Sequence, residues 1–132
     1  MTATGVSGVT DGGASISSQV DEVFTVEQCL YAIMVASAND IALQIAEHVG
    51  GSVDGFVQQM NSRAQELGCT NTVFTNPTGL PDDNQHTTAH DMALIMQAAI
   101  QNESFRTIAA ATSYTIPATN KAAARNLTSK FT

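Results

Sequence analysis

Val53, Phe56, Val57, Met60, Ala64 and Leu67 recur at spacings of three and four, and no other pattern in the chain fixes its local structure so firmly. That period puts one apolar stripe along a helix. Ser52 stands where an N-cap is needed, and Gly68 where the chain must leave the helix. A stripe this sharply bounded needs other apolar faces to cover it, and the chain supplies them on both sides in sequence.

Upstream, Thr25 with Gln28 reads as a capping box, with Phe24 and Cys29 as the apolar staple across it. The run "CLYAIMVA" is apolar almost all round, which predicts a buried central helix. A second helix, "DIALQIAEHV", stops at Gly50-Gly51. Downstream, Asn76-Pro77, Thr78-Gly79 and Pro81-Asp82 forbid a helix and predict an ordered loop. Thr88 with Asp91 opens a fourth helix, whose apolar stripe reads as Ala89, Met92, Ala93, Met96, Ala99 and Ile100. A short helix is expected around Ser104 to Ala109. "SYTIPA" alternates Tyr114 and Ile116 before Pro117, as an edge strand does, and another short edge strand is expected around Ile16 to Val20. Lone strands are not stable, so these read as stubs of a sheet that lies elsewhere. The expected organisation is one mainly α lobe over residues 1–132, with a loop or edge-strand lead-in (1–24), a helical core (25–110) and a strand-like tail (111–132).

Charge and composition exclude several functions. Five basic against twelve acidic residues give a net charge of −7, which would repel nucleic acid and anionic membrane surfaces. No apolar run approaches the roughly 18 residues of a transmembrane helix. The start, "MTATGVSGVTDGGAS", has neither the basic nor the apolar region of a signal peptide. Cys29 and Cys69 fall on apolar positions, which predicts two buried thiols rather than a disulfide. His48, His86 and His90 match no metal-binding spacing, so no metal or organic cofactor is expected.

Between the first two helices lies Ser37-Ala38-Asn39. Alone, the triplet says only that Ser37 or Asn39 caps the second helix. Its setting says more. Residues 25–95 carry, in order, "TVEQCLY", "SANDIA", "AEH", "ELGC", "TVFTNPTGL" and "HTTAHDMA", and "YTIPATN" follows at 114–120. This succession resembles the serine-type D-alanyl-D-alanine carboxypeptidases, the low-molecular-mass penicillin-binding proteins. Cys29 and Cys69 replace apolar residues of the family pattern, and Ala36 stands where Pro is common.

The resemblance implies the helical subdomain of the penicillin-binding protein and β-lactamase-like transpeptidase fold, with one or two short terminal strands. It also implies an exported, cell-envelope bacterial enzyme that removes the terminal D-Ala of the peptidoglycan stem peptide through an acyl-serine, and that β-lactams trap. Three motifs build such a site: S-x-x-K, S-x-N and K-T-G. Ser37 and Asn39 match the second, with Ser37 expected to relay a proton and Asn39 to orient the lysine and the substrate amide. The other two motifs are absent. Of the two lysines, Lys121 follows Ala118 at three residues and Lys130 follows Leu127, and neither precedes Thr-Gly. The chain therefore reads as a helical-lobe fragment carrying one motif of three and inert on its own. A non-catalytic helical interaction module derived from that lobe is the alternative. A class A β-lactamase piece fits less well, because "NPTGL" and "HTTAHDMA" follow the carboxypeptidase pattern. With its sheet-facing side bare, the fragment is expected to form a homo-oligomer through the first and third helices, or a dimer by swapping terminal segments.

Overall fold

The computed structural model describes residues 1–4 and 14–129. Five helices precede a hairpin: α1 (Val26–Ala36), α2 (Asn39–Gly50), α3 (Val53–Glu66), α4 (Ala89–Ala99) and α5 (Glu103–Ala109), then β1 (Ser113–Ile116) and β2 (Arg125–Thr128). The fold is mainly helical with a small two-stranded antiparallel sheet, in which Tyr114 pairs with Leu127 and Ile116 with Arg125.

Local chemistry sets the helix ends. Thr25 and Gln28 exchange both capping-box hydrogen bonds, 3.1 and 2.9 Å. Ser52 accepts from Gly55 N, Thr88 from Asp91 N and Asn102 from Phe105 N. Gly51 and Gly68 take left-handed conformations at φ 79° and 86°. Where α2 turns into α3, a Cβ on Gly50 would lie 2.5 Å from the Phe56 backbone nitrogen, so only glycine lets the two helices close.

The helix at the centre is α2, not α1. Ile41, Ala42, Gln44, Ile45 and Ala46 of α2 are all buried, and the main cluster joins Ile41 and Ile45 to Phe24, Cys29, Ala32, Ile16 and Ile116. α1 buries only Cys29, Ala32 and Val35, while Val26, Leu30 and Met34 face solvent at 44, 37 and 41%. An all-round apolar helix needs neighbours on every side, and α2, α5 and the hairpin cover only part of its circumference. The stripe on α4 is likewise reversed. Met92, Met96 and Ile100 point outward, and α4 turns Asp91 inward. The Asp91 carboxylate accepts from Asn71 N at 2.9 Å and Thr72 Oγ1 at 2.7 Å, and so holds the start of the long loop. The bond from Thr72 leads in drawing the Asp91 pKa down, against its burial.

That loop is ordered, as its turn residues require. Asn61 brackets Phe74 through both backbone groups, and Asn76 Oδ1 accepts from Thr78 N and Gly79 N. The lead-in differs from expectation. Residues 16–20 form no strand, because Ser17 is left-handed at φ 57° and the Ile16 and Ser18 amides both go to Asp40. Instead Thr2 bridges Val23, with Ala3 N donating to Glu22 O at 2.7 Å. The tail was legible as one strand. Its partner β2 was not, and the two pair with each other.

Both cysteines are free thiols, buried at 1 and 3% exposure. Burial pushes Cys29 up to about 11. At pH 8 its reaction with a thiol-exchange reagent is expected to be at least about 100-fold slower than in denaturant, since only the thiolate attacks. A native rate matching the denatured rate would contradict the burial.

Candidate active site

α1 ends at Ala36, and Ser37 follows as its C-cap at φ 54°, ψ 40°. A left-handed non-glycine residue costs about 1 kcal/mol or more, so the turn holds Ser37 there against its own preference. Ala38 is extended and buried, and Asn39 opens α2 at 7% exposure. Neither Ser37 nor Asn39 is the N-cap of α2. That position belongs to Ala38, whose methyl group cannot accept a hydrogen bond. The Asn39 amide is met by Ala14 O at 2.8 Å instead.

Ser37 is exposed at the edge of a cleft of about 470 Å³, lined by Ile33, Met34, Ser37, the stretch Ala109 to Thr112, and Ser129. The antiparallel hairpin, closed by Ser129 N to Thr112 O at 2.8 Å, carries the tail back to this turn. Ser129 therefore lines the same cleft as Ser37. Lys130 lies outside the described residues. Lys121 sits against the lead-in, its carbonyl accepting from Gln19 at 3.3 Å.

The histidines are spread out. His48 is exposed in the last turn of α2, about 16 Å along the axis from Ser37 at 1.5 Å per residue. His86 is exposed in a bridge with Val73, and His90 lies in the first turn of α4. Among the described residues no three His, Cys, Asp or Glu side chains are grouped for a metal ion.

A buried ion pair that the sequence does not signal ties the lead-in to β2. Glu22 is fully buried, and Arg125 from β2 grips it with two nitrogens at 2.8 and 2.9 Å. Thr119 donates to the same carboxylate, and Gln19 N donates at 3.0 Å. Burial alone would raise the Glu22 pKa. The bonds from Arg125 and Thr119 outweigh it and draw the value below the ordinary carboxylate range. Arg125 also lies over the Phe24 ring at 5.5 Å and donates from Nε to Ile16 O at 3.0 Å. The partners stand 103 residues apart in the chain, so no short-range signal links them. Asp40 did carry a signal, an acid in the first turn of a helix, but that signal points to the helix dipole and not to the lead-in.

Comparison with known proteins bears on the family and the fold. The sequence pattern of the D-alanyl-D-alanine carboxypeptidase family matches residues 2–130. D-alanyl-D-alanine carboxypeptidase DacF of Bacillus subtilis is 41% identical over 93 residues, covering 70% of this chain and 24% of its own length. The crystal structure of a D-alanyl-D-alanine carboxypeptidase from Mycobacterium tuberculosis superposes with a TM-score of 0.86 at 28% identity, over 98% of this chain and 48% of that one. A Streptomyces DD-transpeptidase gives a TM-score of 0.84 at 27% identity, over 95% of this chain and 52% of that one. The chain thus spans about a quarter of the Bacillus relative and about half of each crystallised one.

Proposed function

Given that the chain belongs to the D-alanyl-D-alanine carboxypeptidase family, we propose that it is the helical lobe of a serine-type carboxypeptidase and carries the S-x-N motif of its active site. In this reading residues 1–132 act as one lobe, with the 25–110 core held between lead-in and tail. The substrate is the peptidoglycan stem peptide, the setting is the cell envelope outside the cytoplasm, and β-lactams are mechanism-based inhibitors. The acyl-serine forms on a serine outside this triplet. Ser37 passes a proton between that serine and the departing D-Ala amine, while the Asn39 carboxamide orients the activating lysine and the substrate amide.

The observation that carries the reading is the turn itself. Ser37 is held left-handed and exposed at a cleft, and Asn39 is buried one step away at the start of α2. The Ser37 backbone closes α1 in the left-handed conformation while its hydroxyl caps neither helix, which leaves the hydroxyl for chemistry. The test uses the longest open reading frame that contains these residues. In that protein Asn39→Ala is expected to slow acylation by a penicillin about 10²- to 10³-fold, as loss of a preorganised polar group does. The fold should change by no more than about 1 kcal/mol, since Asn39 caps nothing. Acylation at the parent rate would remove Asn39 from the site.

Self-association of the isolated chain belongs to the same reading, with its face revised. The apolar residues of α3 are partly or fully buried, whereas Leu30 and Met34 of α1 and Met92 and Met96 of α4 are exposed at 37 to 52%. Light scattering at high concentration is expected to give a mass above the monomer, and Met96→Glu should lower it. A strict monomer would end this part of the proposal.

A further inference from the structure

Ile16 is tied in two directions. Its N–H donates to Asp40 Oδ1 at 3.3 Å, on the first turn of α2, and its carbonyl accepts from Arg125 Nε at 3.0 Å, on β2. Ser18 N adds a bond to Asp40 Oδ2 at 2.9 Å, and Asn39 N donates to Ala14 O at 2.8 Å. Residues 14–18 thus form a strap beneath the Ser37–Asn39 turn, pinned to the helix on one side and to the hairpin on the other. Ser17 is left-handed between the two amides that Asp40 receives, which aims both at one carboxylate. Asp40 is 2% exposed and Ile16 8%, so water does not substitute cheaply for these bonds.

We propose that Asp40 and Arg125 are positioning residues for Ser37 and Asn39, acting through the 14–18 strap. The proposal rests on the site assignment above for its catalytic meaning, but the mechanical claim stands on these contacts alone. The first-turn amides of a helix have no partner within the helix. Ala38 offers no side-chain cap, so the start of α2, and Asn39 with it, takes its position from the strap. The strap takes its own from Arg125. A lysine at 125 could still pair with Glu22, but a single ammonium cannot also reproduce the Nε bond to Ile16 in a planar fork.

The experiment uses the 132-residue chain, labelled with nitrogen-15 and carbon-13, and needs no activity. In Asp40→Asn and in Arg125→Lys, exchange of the Asn39 amide is expected to accelerate about tenfold or more, and the Ser37 Cα shift to leave its left-handed value, while α3 amides change less than about twofold. Asp91→Asn, which loosens the far loop, should leave the Asn39 and Ser37 signals in place. Unchanged Asn39 and Ser37 signals in both strap variants would overturn the proposal. So would equal acceleration across α3 and the turn, the mark of general destabilisation. Should Arg125→Lys fail to fold, Asp40→Asn decides alone. If the full enzyme's acylation ignores Asn39→Ala while the strap variants still release the turn, the functional assignment falls and the bracing stands.

Discussion

Incubated with a fluorescent penicillin, the 132-residue chain is expected to remain unlabelled, and its intact mass to gain no β-lactam adduct. Acylation requires a hydroxyl whose proton is taken by a base within about 2.6–3.2 Å. His48 is too far from Ser37 by several turns of helix. Lys121 is held at the lead-in by the contact of its carbonyl with Gln19. No serine stands three residues before either lysine, so the sequence given holds no S-x-x-K pair. A covalent adduct on Ser37 would show a self-sufficient site and sink the reading of a partial one.

Arg125→Ala is expected to destabilise the chain by about 3–5 kcal/mol, because it leaves the fully buried Glu22 without its cation. Against a total of about 5–15 kcal/mol, that removes a large share of the stability, and unfolds much of the population only if the total lies near the lower bound. Replacing both partners, Glu22→Leu with Arg125→Met, should recover part of the loss, since no unpaired charge then remains in the interior while Gln19 N, Thr119 and the Ile16 carbonyl still lose a partner. The pair also predicts an acid limit. Glu22 has its pKa lowered on folding, so its contribution is complete above the unfolded carboxylate value of about 4.3 and is lost as pH falls through the folded value. Urea titrations from pH 7 down to pH 3 should show a stability decline that is steeper in the parent than in the double variant. Equal stability of Arg125→Ala and the parent would mean the ion pair contributes nothing.

What the sequence made legible was local. Thr25–Gln28, Ser52, Thr88 and the glycines after α2 and α3 act through neighbours within four residues, and each sits in the structure as its pattern requires. What it hid was set at long range. Whether Met92 and Met96 or Leu94 and Ile95 turn inward depends on which side Asp91 is pulled, and that is decided by Asn71 and Thr72 some 20 residues earlier. The all-apolar α1 reads as central because periodicity reports a surface that could be buried, and says nothing about whether a partner is present. Ser37 and Asn39 stand out only through a resemblance to a family motif, while Ile16, Asp40 and Arg125, joined by hydrogen bonds, share no pattern in the linear sequence.

The hairpin's grip on the lead-in also dictates an order of assembly. Helices α1 to α3 meet through contacts between consecutive elements, which close short loops early. Glu22 finds Arg125, and Ile16 finds Arg125, only after 103 and 109 residues have been gathered in, a closure whose entropic cost is met late. The Ser37–Asn39 turn, whose strap depends on that late contact, is therefore expected to become rigid after α1 to α3 have met. A nascent chain would hold its helices before it held the Ser37–Asn39 turn, and a protease would find the lead-in before it found the core.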